Sequence, residues 1–174
     1  MNMLALLIVV AVAVLLYLAL QGKSRDDIFS TFGLSASEYE LISTDLGKGH
    51  PRKRIGLRGV GGEPDAIFQH RRSGKLVVAE FKSRRWARRI RPREYFQVVL
   101  YIGIARAEFR TNNVVGILAF NDKSFEIEHQ SELFSSLIQL RGEVLTSLKR
   151  KRALNSRPLL SRARFSLPFK LERF

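Results

Sequence analysis

The sequence predicts an α/β chain in which a central mixed sheet is flanked by helices, behind one N-terminal membrane-spanning helix. Three observations carry this expectation. Two extended apolar runs, Ala66-Ile67-Phe68 and Leu76-Val77-Val78-Ala79, flank a Ser73-Gly74 pair, the pattern of a β-hairpin. A segment opening at Pro92 carries apolar residues nearly all round a helical wheel, as a buried helix does. Residues 3–20 form an unbroken apolar run of 18, which at the helical rise spans about 27 Å, close to the hydrocarbon thickness of a bilayer.

No charged side chain precedes that run, whereas Lys23 and Arg25 follow it. The positive-inside rule then keeps the rest of the chain in the cytoplasm, at a cell inner membrane. A cleaved signal peptide competes, but the basic leader is missing and Leu18-Ala19-Leu20-Gln21 makes a poor cleavage site. The chain divides into an anchor (residues 1–22), a globular domain (23–150) and a basic tail (151–174). At 174 residues it has room for one such core.

Within the domain, residues 24–32 read as a short helix with Ser24 as N-cap, Asp26 and Asp27 in the first turn and Gly33 as its stop. Ser35 and Glu38 have capping-box spacing for a further turn. Residues 39–46 read as a strand, 47–53 as a basic turn, and 55–59 as another strand. A loose glycine connection over 59–62 then leads to a strand that Asp65 opens. Pro92 suits the first turn of the buried helix. Residues 114–120 and 125–128 read as strands about an Asn121-Asp122-Lys123 turn. Ser131 is placed to cap one amphipathic helix over 132–148, with Leu133, Phe134, Leu137, Val144, Leu145 and Leu148 on its apolar side. Pro158 and Pro168 break the tail, so one continuous helix is not expected there.

Charge is concentrated rather than spread. Residues 51–93 hold 14 basic and 3 acidic side chains, and 149–174 hold 9 and 1, within a formal net charge of +14. Such patches suit a nucleic acid, because neutralising phosphates releases counterions; a basic surface on anionic lipid is the competing reading. The absence of cysteine excludes disulfides, thiolate nucleophiles and cysteine-bound zinc or iron–sulfur clusters.

On the hairpin, Asp65 and Glu80 come to the same end. Glu80 and Lys82, two apart, share one face while Phe81 points away. Two acids and a lysine thus converge where a divalent cation and a water fit. Gln97 and Tyr101 stand one helical turn apart on the buried helix, where their polar tips need partners.

These residues, Pro64-Asp65 … Glu80-Phe81-Lys82 with Gln97 and Tyr101 as a Q-x-x-x-Y element, resemble the PD-(D/E)XK nuclease superfamily in its RecB-like, CRISPR-associated exonuclease branch. Residues 55–59 also look like that branch, and the likeness covers roughly residues 39–130. It implies a restriction-endonuclease-like core hydrolysing DNA, with RNA left open. Asp65, Glu80 and the backbone carbonyl of Phe81 would hold Mg²⁺ or Mn²⁺, and Lys82 would serve the attacking water. Gln97 and Tyr101 would face the pocket and the nucleic-acid backbone, while Arg58, Arg84 and Arg85 are assigned to phosphates from charge and position.

Two departures stand out. The iron–sulfur cysteines of many branch members are missing, so that cluster is excluded. The branch usually supplies a metal-binding histidine from its first helix; here His50, in a turn between Gly49 and Pro51, is the only histidine upstream of the site. It is a candidate ligand against a plain loop histidine. His70 and His129 read as surface residues, and Asp26, Asp27, Glu38 and Glu63 as weaker ligand candidates. The alternative to an enzyme is an inactive nuclease-fold protein that tethers DNA at the membrane.

Overall fold

In a computed structural model, which describes residues 25–47, 50–157 and 162, the chain runs in order through α1 (Arg25–Thr31), β1 (Tyr39–Thr44), β2 (Ile55–Leu57), β3 (Val60–Gly62), β4 (Ala66–His70), β5 (Leu76–Lys82), α2 (Pro92–Glu108), β6 (Val114–Phe120), β7 (Ser124–Ile127), α3 (Ser131–Gln139) and α4 (Arg141–Arg150). The fold is mixed α/β. Its sheet has the order β1-β4-β5-β6-β7. The pairs β1/β4, β4/β5 and β6/β7 are antiparallel, while β5 and β6 run parallel over seven residue pairs, Leu76↔Val114 to Lys82↔Phe120. A parallel pair needs a long crossover, and α2 provides it.

Strand alternation sorts the sheet into two faces. Ile67, Val78, Leu118 and Phe120 join one core with Tyr95, Val98, Val99 and Ile102 of α2. Ala66, Phe68, Val77, Ala79, Ile117 and Ala119 join the other with Ile28, Phe29 and Phe32 of α1. The spacing 28, 29, 32 puts those three on one side of a short helix, and both phenylalanines pack their rings on Phe68, at 5.2 and 5.6 Å. On the α2 side the approach is closer. A Cβ at Gly116 would run into Val98 and stand 2.9 Å from Ile102 Cδ1. Gly116→Val is therefore expected to cost about 2 kcal/mol by overpacking, seen as a lower unfolding midpoint.

Several boundaries differ from the sequence reading. Residues 59–62 are not a loose connection. Arg58 and Gly59 take left-handed φ values of 51° and 74°, the combination a two-residue type I′ turn requires. They fold Val60–Gly62 back on Ile55–Leu57 as a separate two-stranded sheet. The expected helix over 132–148 is two helices meeting at Leu140; Gly142 lies two residues on, and glycine loses the most entropy in a helix interior. Ser131 is the first helical residue rather than the cap, a position taken by extended Gln130 without a side-chain bond. Val144, Leu145 and Leu148 are exposed instead of packed. The Ser35 turn forms, with Tyr39 N–H on the Ser35 carbonyl, but the Ser35 hydroxyl takes the Ser37 N–H rather than a capping box with Glu38.

Among the described residues no helix is long and apolar enough to cross a membrane. The expected span over 3–20, the Ser24 cap and the tail beyond 157, apart from Arg162, lie outside the described residues.

Candidate active site

The register of the hairpin decides the site. Ala66 pairs with Ala79, so Asp65, one residue before, and Glu80, one residue after, are neighbours at the same strand ends. By alternation both share the face of Ile67 and Val78, the one that α2 covers. The Asp65 carboxylate is held in place: its Oδ2 accepts the Phe81 N–H at 2.6 Å, a side chain standing in for backbone where the β4–β5 ladder ends. Phe81 faces the other core and pairs with Ala119.

Glu80 is only 5% exposed. Its Oε1 accepts Lys82 Nζ at 2.6 Å, while its Oε2 is buried without a hydrogen-bond partner. Burial, and then the charge of Asp65, push the Glu80 carboxyl up to about 7, against the pull of Lys82 and Gln97. Lys82 Nζ also donates to Gln97 Oε1 at 3.3 Å. Gln97 Nε2 donates to the Tyr101 hydroxyl at 3.2 Å, and that hydroxyl donates to the Glu63 carbonyl at 3.3 Å. A polar relay thus runs from strand β5 through α2 to the segment before Asp65. Burial, more than its acidic neighbours, holds the Tyr101 phenol above its ordinary value. Gly62 is needed here, because a Cβ at that position would lie 2.7 Å from the Tyr101 oxygen.

Asp45 was not among the sequence candidates. Its N–H donates to the Asp65 carbonyl at 3.1 Å, as does the Thr44 hydroxyl at 2.7 Å. Burial raises its carboxyl, Oδ1 is buried without a hydrogen-bond partner, and its charge reaches Tyr101 together with those of Asp65 and Glu80. Nothing in its spacing from Asp65 signalled this; the β1–β4 pairing makes the contact.

The other predicted residues are placed less centrally. Among the described residues no three His, Asp or Glu side chains are grouped closely enough to hold an ion, so His50 does not join Asp65 and Glu80. His70 accepts the Ser73 N–H in the β4–β5 turn, and His129 packs on Phe134. Arg58 is exposed at the tip of the β2–β3 hairpin. Arg85 has a side chain 84% exposed, 3.4 Å from Asp122. Arg84 turns inward. Its Nη2 meets buried Glu94 at 2.9 Å and its guanidinium lies over the Phe120 ring. Glu94 also accepts the Arg91 N–H at 3.1 Å, so the pair ties the end of β5 to the start of α2. Arg84→Ala would leave Glu94 buried without its counter-charge, at a cost of about 3 kcal/mol. Thermal melts should show the loss for Arg84→Ala and none for Arg85→Ala.

The donor set is oxygen: two adjacent carboxylates, one with an orphaned buried oxygen, beside one lysine. That set suits a hard divalent cation of the Mg²⁺ or Mn²⁺ class, with water completing its shell. It offers nothing to a soft metal.

No family model matches this chain, and no curated protein matches it. Among solved structures it is similar to one titled "Crystal structure of SSO0001", at 17% identity over 78% of this chain and 59% of that chain, with a TM-score of 0.40. The chain therefore spans less than two thirds of that structure, and at this score the likeness carries no argument.

Proposed function

We propose that the domain has a restriction-endonuclease-like core of the PD-(D/E)XK type and is a metal-dependent nuclease that hydrolyses DNA phosphodiester bonds. The family likeness leans towards exonuclease action. The observation that carries this reading is the placement of Asp65 and Glu80 side by side on one sheet face, with the Lys82 ammonium 2.6 Å from Glu80. Asp65 and Glu80 would hold Mg²⁺ or Mn²⁺. When bound, the cation supplies charge stabilisation at the phosphate and a lowered pKa for water.

The remaining work falls to this chain's own side chains. Lys82 Nζ, with three donor hydrogens, aims one at Glu80 and one at Gln97, leaving a third for an attacking water or a phosphate oxygen. Gln97 fixes the lysine head, and Tyr101 fixes Gln97 against the Glu63 carbonyl. The basic residues from Arg85 to Arg93, and Arg58 at the tip of the β2–β3 hairpin, supply phosphate attraction around this centre. The apolar run over 3–20 would hold the enzyme at the cytoplasmic face of the inner membrane.

The test is digestion of linear and circular DNA by the full chain in detergent, with Mg²⁺, Mn²⁺ or a chelator. Cation-dependent cleavage that Asp65→Ala abolishes while DNA binding persists supports the enzyme. DNA binding without cleavage by the parent chain supports the tether instead.

A further inference from the structure

Among the described residues one helix leaves its apolar side exposed, while its Glu143 pairs with Arg162 of the tail at 2.7 Å. No residue of α4 is buried. Val144, Leu145 and Leu148, at positions i, i+1 and i+4, share one face and are 52%, 48% and 70% exposed. The helix ends on Lys149 and Arg150, and Lys151 and Arg152 follow, so four exposed cations stand in a row. Residues 149–174 hold 9 basic side chains against 1 acidic.

We propose that this face of α4 lies in the headgroup layer of an anionic bilayer, with its aliphatic side chains at the acyl boundary and the Lys149–Arg152 run on lipid phosphates. Charge complementarity selects that occupant. A second copy would bring the same dense positive charge against its own, which repels. A nucleic acid would satisfy the cations but leave three aliphatic side chains in water. Only a lipid surface meets both demands of a basic amphipathic helix, apolar contact on one side and anionic headgroups around it. On the separate reading of residues 3–20 as a span, four residues separate it from α1 at Arg25, a reach of at most about 15 Å.

The chain has no cysteine, so single labels are clean. The full chain is prepared as Leu148→Cys, or as Gly142→Cys on the polar side, each carrying an environment-sensitive fluorophore. It is placed in detergent micelles and in nanodiscs of phosphatidylcholine with or without phosphatidylglycerol. The expected result is a blue shift at position 148, with quenching by acyl-chain-borne quenchers, in the anionic bilayer only. The label at position 142 should stay in water. Replacing all four of Lys149, Arg150, Lys151 and Arg152 by glutamine should abolish the shift at 148. Circular dichroism of each variant shows that the fold is kept.

A water-exposed label at position 148 in every bilayer overturns the proposal. So does an equal shift in micelles, neutral and anionic discs, which would mean that the chain's own tail or a second copy covers the face. A shift produced by duplex DNA without lipid overturns it too. None of these outcomes depends on cleavage, so failure here and failure of the nuclease reading are separable.

Discussion

Lys82→Ala is expected to lower the rate of DNA cleavage about a thousandfold, within the range of a lost general acid–base or charge-stabilising group. The substitution removes the one ammonium that bonds both Glu80 and Gln97. It removes only one of 30 basic side chains, so DNA affinity in a filter-binding assay should change little. The loss belongs in kcat rather than KM. Lys82→Arg should not rescue it, because a planar guanidinium cannot place one donor on Glu80 and another on Gln97 as a compact ammonium does. Full cleavage by Lys82→Ala would remove the lysine from the chemistry and leave the carboxylates and their cation to carry it.

The second large effect runs in the opposite direction. Glu80→Gln is expected to make the cation-free protein more stable at pH 8 while abolishing cleavage. The Glu80 carboxyl is raised from 4.5 to about 7 in the fold, so between those values the folded state binds a proton that the unfolded state has released. Its contribution to stability is complete below about 4.5 and is lost as pH rises through about 7. At full loss it amounts to about 3 kcal/mol. Glutamine has no such titration. The stability difference between the variant and the parent should therefore be smallest near pH 4 and grow up to about pH 8. Chemical unfolding in a chelator across that range measures it. Adding Mn²⁺ should stabilise the parent and leave Glu80→Gln unmoved. A difference that is flat with pH would mean that Glu80 carries no penalty for its burial charge. The underlying physics is a trade of stability for a charged site: two carboxylates are held together, one of them buried with an oxygen lacking a partner, and Lys82 on its other oxygen only partly offsets the cost of that burial.

Much of this was legible in one dimension. The β4–β5 hairpin is written in the alternation on either side of Ser73-Gly74. Since side chains alternate with period 2, the shared face of Glu80 and Lys82 follows at once, and the pairing Ala66↔Ala79 places Asp65 on it. The buried helix from Pro92 was equally plain, because its apolar residues leave no wet side. Less plain was whatever depends on a partner distant in sequence. Arg84 reads as one more arginine in a basic run, yet it is withdrawn from the surface by Glu94. Asp45 has no motif, and only the pairing of β1 with β4 brings it to Asp65. The β2–β3 hairpin was obscured because Arg58 at positive φ is not a preferred turn residue, and Val144, Leu145 and Leu148 have the spacing of a packed face yet are exposed.

The main-sheet strands, the long helix, the order of charged residues along them and the lack of a thiol were all legible in the chain, since each is set by near neighbours or by composition. The packed fold was needed to show which charges from separate segments meet. An ion pair or a close pair of acids depends on a few ångströms across the fold, and chain spacing does not encode those distances once strands from separate segments pair and a helix crosses over them.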